Sequence, residues 1–413
     1  MDEALQKILN RLRDAGLNRS ILPVEGPTGP VGRIGGREAV VLCSNDYLGL
    51  ASDPRLAEAA KKALDREGFG AGAARLISGS KEAHHDLEEA LARFKGTEAC
   101  LIFSSGYMAN IGLLSALSGP GCLVYSDALN HASIIDGARL SKAEIQVFRH
   151  CDPDHLEELL SRESQNPSPS MPQDGRPVRR LVVTVGVFSM DGDVSPLDRI
   201  APLARRLGAS LMVDDAHGTG VLGEDGRGTA VHLGVDDLVD VRMGTLGKAL
   251  GAFGAYVCGS RTLIDFLINA CRAFIYTTGL PPSVAAAARE ALRIVETEPE
   301  RRERLHRNAA FLREGLRSLG FDVRQDPTPI IPVIVGDAQT TVRFAEELLE
   351  RGIFARGIRP PTVPEGSGRI RATVSAAHET SHLERALDAF ETTGRSLGLI
   401  GGKVSSTSGS HSE

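Results

Sequence analysis

The chain has 413 residues, a formal net charge of -6 and 42% hydrophobic residues, an ordinary globular composition with room for two or more domains and a large core. Charges of both signs are interspersed without a basic stripe, so no nucleic-acid partner is expected, and no apolar run reaches membrane-spanning length. The six cysteines form no C-x-x-C or other metal-ligand spacing, which points to a reduced, cytoplasmic protein without a metal site.

The first segment, MDEALQKILNRLRDAG, is expected as a charged amphipathic helix rather than a signal peptide, followed by an extended arm to about residue 50. Residues 51–284 carry seven short apolar runs: 99–106, 122–127, 144–150, 180–187, 210–217, 238–246 and 254–260. Helical patterns such as LDRIAPLARRLG (197–208) separate most of them. Apolar strands alternating with helices predict a large α/β domain whose seven-stranded, mostly parallel sheet is buried on both faces. Within it, SQNPSPSMPQDGRP (164–177) is expected as a surface loop. Residues 285–400 read as a smaller α+β domain, and 401–413, ending SSTSGSHSE, as a disordered tail.

One lysine stands out. In MGTLGKALGAFGAYV (243–257) the residues that are neither glycine nor apolar are Thr245 and Lys248. Lysine is rarely buried unpaired. Lys248 is either a cation snorkelling to solvent or an amine used chemically, with burial lowering its pKa. A P-loop lysine is excluded, because Arg242 replaces the first glycine and Ala249 the hydroxyl residue.

Ligands of open α/β sheets bind beyond the carboxyl ends of the strands. Polar clusters fall there: Ser105, Gly106 and Tyr107 at a helix start suited to an anion, His131, Ser189 within FSMDG, and Asp214 with His217 in DDAH. Each alone is equally a turn or a helix cap. Gly218, Gly220 and Gly223 match G-x-G-x-x-G, but no helical pattern follows, so a dinucleotide site is not expected. Together the clusters supply what pyridoxal 5'-phosphate needs: a Schiff-base lysine (Lys248), a carboxylate for the pyridine nitrogen (Asp214) and an anion pocket (104–107 with Thr245). His131 is suited to stack on the ring and His217 to reach its hydroxyl.

NDYLGL (45–50), SSGY (104–107), NHAS (130–133), VFSMDGD (187–193), VDDAHGTGVLGE (213–224), GTLGKALG (244–251) and SAAHE (375–379), in this order, resemble the α-oxoamine synthases, pyridoxal-phosphate enzymes of fold type I with an aminotransferase-like architecture. The resemblance runs from about Leu17 to His378. It implies that Lys248, His131, Asp214 and His217 are catalytic. It also implies that Ser105, Gly106, Tyr107, Ser189 and Thr245 help hold the cofactor, and that Arg19, Asn45, His131, Thr362 and Arg371 bind substrate. IRPPTVPEGSGRIRATVSAAHE (358–379) resembles the members that condense L-alanine with a pimeloyl thioester, of coenzyme A or acyl carrier protein, in biotin biosynthesis. Glycine-using members and a catalytically silent subunit on the same fold are the alternatives. The family also implies a homodimer, with GFGAGAARLISG (68–79) reaching the partner's site. Two departures are Val185, where the family usually has an acid, and Ala74, where serine is common.

Overall fold

The computed structural model describes residues 1–165 and 178–401. Most of the 164–177 segment and nearly all of the 401–413 tail lie outside the described residues. The seven apolar runs form one sheet in the order Ala99–Phe103, Ala255–Gly259, Val241–Thr245, Ser210–Asp214, Arg180–Val185, Leu123–Asp127, Glu144–Phe148. Ala255–Gly259 is antiparallel to both neighbours, and the remaining pairs are parallel. The sheet is therefore mixed but mostly parallel, as the alternation of strands and helices predicts.

Strand side chains alternate between faces, and the cores follow that alternation. Leu101, Val183, Val185 and Met243 pack with Leu113, Ile134 and Leu267 from helices on one face. Ile102, Tyr256 and Cys258 pack with Leu87, Leu91, Ala288 and Leu292 from helices Glu82–Lys95 and Pro282–Thr297 on the other. The parallel pairing aligns the strand ends: Val185 lies opposite Asp214, and Asp214 opposite Met243. This register gathers the polar clusters along one edge of the sheet.

The segment after the first helix (Asp2–Asp14) is paired rather than simply extended. Val31–Ile34 and Arg37–Val41 form a hairpin around Gly35 and Gly36, whose φ values are +57° and +78°. Two consecutive positive φ angles define a two-residue turn that glycine adopts without a steric cost. Arg37–Val41 then pairs in parallel with Ile353–Phe354, which brings Asn45 and Tyr47 towards the C-terminal part of the chain. That part contains a three-stranded antiparallel sheet, Ile330–Gly336, Gly368–Thr373, Arg356–Ile358. Its central strand carries Arg371, 6% exposed.

The G-x-G-x-x-G run opens no dinucleotide helix. Its first glycine, Gly218, packs against the carboxylate of Asp215 instead, as does Gly228 beyond the run. A Cβ at Gly218 would lie 2.1 Å from Asp215 Oδ1, and one at Gly228, φ +114°, 1.7 Å from Oδ2. Asp215 accepts from the Thr229 hydroxyl (2.7 Å), the Thr219 hydroxyl (3.2 Å) and Lys95 Nζ (3.2 Å), all buried. A methyl at 218 displaces this carboxylate from a buried ion pair. Gly218→Ala is therefore expected to cost about 3 kcal/mol of stability, seen as a lowered Tm in calorimetry, whereas Gly26→Ala, with nothing within 4 Å, should lose only the small penalty of its positive φ.

Candidate active site

Each polar group at the sheet edge is placed by the element that ends or begins there. Asp214 closes strand Ser210–Asp214, and Thr245 closes Val241–Thr245. Gly106 begins helix Gly106–Leu117, and His131 caps helix Ala132–Ser141. These elements bring Gly106, Tyr107, His131, Ser189, Asp214, His217, Thr245 and Lys248 around one cavity of about 200 Å³. Ser105 is not part of its wall; its hydroxyl is used as the helix cap, accepting from Met108 N at 3.3 Å.

A larger cavity, about 890 Å³, shares His131, Ser189, His217 and Lys248 with the first and adds Arg19, Asn45, Thr362 and Arg371. The arginine is held by neutral acceptors. Its guanidinium donates to Ser189 O and to Asn45 Oδ1 (3.2 Å from both terminal nitrogens), with Tyr47 Oη at 3.5 Å. Among the described residues no carboxylate pairs with it within 4.0 Å, so its charge is available to an anionic ligand. Arg19 donates to Thr362 Oγ1 at 3.3 Å.

Lys248 lies where the two cavities meet, half-buried and with no hydrogen bond or ion pair to its ammonium among the described residues. Burial pushes its pKa down to about 8; Asp214 opposes the shift and Arg371 adds to it. About a tenth of the amine is therefore unprotonated at neutral pH and about half in mildly alkaline solution near pH 8. His217 is held well below its usual pKa by burial and then by Lys248 and Arg371. Its Nδ1 lies 2.7 Å from Tyr47 Oη.

Asp214, 5% exposed, is oriented from both oxygens. Oδ1 accepts from Ala216 N at 3.1 Å, and Oδ2 from Asn110 Nδ2 at 2.8 Å. Val185, 7% exposed, packs beside it with Val183, Phe188 and Met243, so this wall is apolar.

The chemistry of this donor set fits pyridoxal phosphate. An amine without a partner suits the aldehyde, and a fixed carboxylate suits a pyridinium nitrogen. A hydroxyl and helix-start N–H groups suit the phosphate. Thr245 Oγ1 is buried with no hydrogen-bond partner among the described residues, an unmet need that a phosphate oxygen answers. The first N–H groups of helix Gly106–Leu117 also lack intrahelical acceptors. Only glycine allows that approach at 106, because a Cβ would stand 2.8 Å from Thr245 Cγ2.

Three residues of this arrangement carry no role in the sequence reading: Asn110, Ser133 and Tyr47. Asn110 had a usable signal, as a polar residue inside the apolar helix GYMANIGLLSAL. A buried amide is rarely idle. Tyr47 had none, since its partner His217 is 170 residues away; Ser133 stands two residues from His131, and that spacing was its signal.

Comparisons with known proteins identify the family of the chain. Residues 37–390 match the family described as aminotransferase class I and II. The chain is 50% identical over 402 residues to 8-amino-7-oxononanoate synthase of Geobacter sulfurreducens, covering 97% of this chain and 100% of that one. It is 51% identical over 382 residues to the protein of the same name from Anaeromyxobacter dehalogenans strain 2CP-1, covering 92% and 93%. Among solved structures, it resembles a variant serine palmitoyltransferase from S. paucimobilis with a bound PLP–myriocin aldimine. That likeness has a TM-score of 0.89 and 34% identity, over 96% of this chain and 98% of that one.

Proposed function

The chain belongs to the aminotransferase class I and II family, and from that premise we propose that it condenses L-alanine with a pimeloyl thioester to 8-amino-7-oxononanoate, carbon dioxide and free thiol, in biotin biosynthesis. Nearly full-length relatives of that name at about half identity support the reading. The observation that carries it is Lys248: an unpaired, desolvated amine between the pocket suited to the cofactor and the cavity that holds Arg371.

Pyridoxal phosphate, when bound, supplies an electron sink that stabilises a carbanion at the amino-acid Cα. Lys248 would anchor it, Asp214 would pair with the ring nitrogen, and His217 would approach the ring oxygen. Thr245 with the Gly106 and Tyr107 backbone would hold the phosphate, with Ser189 and His131 beside the ring. The protein's own work is then to place and move protons. Arg371, steadied by Asn45, takes the alanine carboxylate in a bidentate grip. Lys248 Nζ removes the Cα proton and later returns one. A new carbon–carbon bond replaces the carbon–sulfur bond of the thioester, the thiol leaves, and the β-keto acid loses carbon dioxide. Arg19 and Thr362, on the larger cavity, contact the acyl substrate.

The active form is a homodimer. Helix Asp2–Asp14 buries none of its residues in one chain and leaves Leu5, Ile8, Leu9 and Leu12 exposed along one stripe. Phe69 and Ile77, in the glycine-rich 68–79 segment, are 81% and 80% exposed. Such apolar surface is suited to a partner subunit. No helix among the described residues is long and apolar enough to cross a membrane. All six cysteines are free, which supports a cytoplasmic location.

A product assay with alanine and glycine, each against pimeloyl and acetyl thioesters, tests the substrate assignment. Alanine with the pimeloyl donor should turn over fastest. One methyl group is worth about 1–3 kcal/mol of discrimination, so glycine should trail by roughly 10- to 200-fold. Faster turnover of glycine with the acetyl donor would overturn the assignment in favour of a glycine-using synthase.

A further inference from the structure

Asp214 and His131 are joined by a continuous hydrogen-bond chain. Asn110 Nδ2 is 2.8 Å from Asp214 Oδ2 and 2.9 Å from Ser133 Oγ. Ser133 Oγ is 2.7 Å from His131 Nδ1, and the Ser133 backbone N–H donates to the same nitrogen at 3.2 Å. Asn110 and Ser133 are both almost fully buried, 1% exposed each.

Counting hydrogens fixes the direction of the chain. The Asn110 amide nitrogen has two, one for the carboxylate and one for the serine. Ser133 Oγ therefore accepts from Asn110, and its own hydrogen is free for His131. A backbone N–H can only donate, so His131 Nδ1 must offer its lone pair. It receives two donors and carries no proton. In the neutral ring the proton must then sit on Nε2, the nitrogen for which no partner is recorded among the described residues.

We propose that Asn110 and Ser133 are positioning residues, Ser133 locking His131 in the Nε2–H tautomer and Asn110 tying that arrangement to Asp214, so that His131 meets the acyl substrate as a hydrogen-bond donor rather than as a base. This rests on the synthase reading for the identity of the substrate but not for the tautomer. The donor from Nε2 suits the carbonyl oxygen of a thioester, which gains negative charge when a carbanion attacks it. The titratable groups facing His131 are Asp214, Lys248 and His217. Burial lowers the pKa of His131; Asp214 opposes that shift and Lys248 adds to it. A neutral donor is the form these surroundings favour.

The test is nitrogen NMR of the full-length, pyridoxal-phosphate-loaded enzyme labelled with ¹⁵N-histidine, with His131→Gln for assignment. A pyridine-like Nδ1 and a protonated Nε2 are expected in the wild type. Ser133→Ala should shift the His131 titration to higher pH, because Nδ1 loses a donor that opposes its protonation. It should also slow kcat about fivefold, the weight of one hydrogen bond, while Ser133→Thr restores both. Asn110→Leu should leave the tautomer in place through the Ser133 donors but weaken the cofactor's ring-nitrogen contact. A proton on Nδ1 in the wild type, or an unmoved titration in a folded Ser133→Ala, overturns the proposal. These readings do not depend on which thioester the enzyme prefers, so failure of the substrate assignment would leave them standing.

Discussion

Replacing Lys248 with methionine should lower turnover by about 10⁴-fold or more, the upper range for loss of a general acid–base, while leaving the protein at least as stable as the wild type when both are compared without cofactor. The two halves of this expectation share one cause. Lys248 has an amine in a desolvated place with no partner among the described residues, and its pKa falls to about 8. An unfolded lysine keeps its proton to about pH 10.4. Between those limits the unfolded chain binds more protons than the folded one, so the wild type gains stability as pH rises from 8 to 10.4 and is penalised below 8. Methionine fills the same space without a charge and removes the penalty. Below pH 8 the variant should therefore be the more stable of the two in calorimetry, and this advantage should shrink as pH rises. The wild-type rate should fall as pH drops below 8, when the amine becomes protonated and cannot accept the Cα proton. A variant that lost both activity and stability would mean that Lys248 is structural.

How far the sequence discloses this site depends on whether a residue's partner is near it in the chain. Asp214, Thr245 and Lys248 were legible because each follows an apolar strand, and strand ends in parallel sheets face the ligand. The pairing order could not be read locally, yet it was not needed, since parallel strands share one carboxyl edge whichever neighbour they take. Gly35 and Gly36 were a readable hairpin signal that the expected extended arm passed over. Tyr47 was not readable, because what gives it meaning is a contact across 170 residues, whereas the partner of Ser133 is His131, two residues away, and that contact lay within local reach. At Val185 the sequence exposes the departure from the family's usual acid, and the structure adds that the residue packs in an apolar wall opposite Asp214.

The glycine-rich run after Asp215 is the clearest case of a pattern with the wrong local meaning. Its spacing fits a phosphate loop, and only the three-dimensional position of the Asp215 carboxylate shows what the missing side chain of Gly218 makes room for. Helical context was sufficient to reject the dinucleotide reading. It was not sufficient to find the buried Lys95–Asp215 pair, whose members are 120 residues apart.

Two adjacent aspartates should consequently give opposite phenotypes. Asp214→Asn is expected to reduce kcat/KM on the order of 10³-fold, about 4 kcal/mol of transition-state stabilisation, with a smaller loss of Tm than Asp215→Asn. The reason is charge: an amide cannot hold a proton on the pyridine nitrogen, and the ring then draws electrons poorly. Asn110 Nδ2 can still donate to the new side-chain oxygen at the place of Oδ2, but the amide nitrogen then faces the Ala216 N–H in place of Oδ1, a donor against a donor that costs about 1–3 kcal/mol. Asp215→Asn does the reverse. Its carboxylate faces away from the cavity wall, towards Lys95 and the hydroxyls of Thr219 and Thr229. Neutralising it leaves a buried ammonium, 4% exposed, without its counter-charge, which costs about 3–5 kcal/mol. This second variant should lose Tm while the folded fraction keeps a kcat within a few-fold of wild type. Steady-state kinetics and calorimetry on the pair separate the roles. Loss of kcat in folded Asp215→Asn equal to that in Asp214→Asn would show that the two carboxylates act as one unit, and the division of labour drawn from their hydrogen bonds would be wrong.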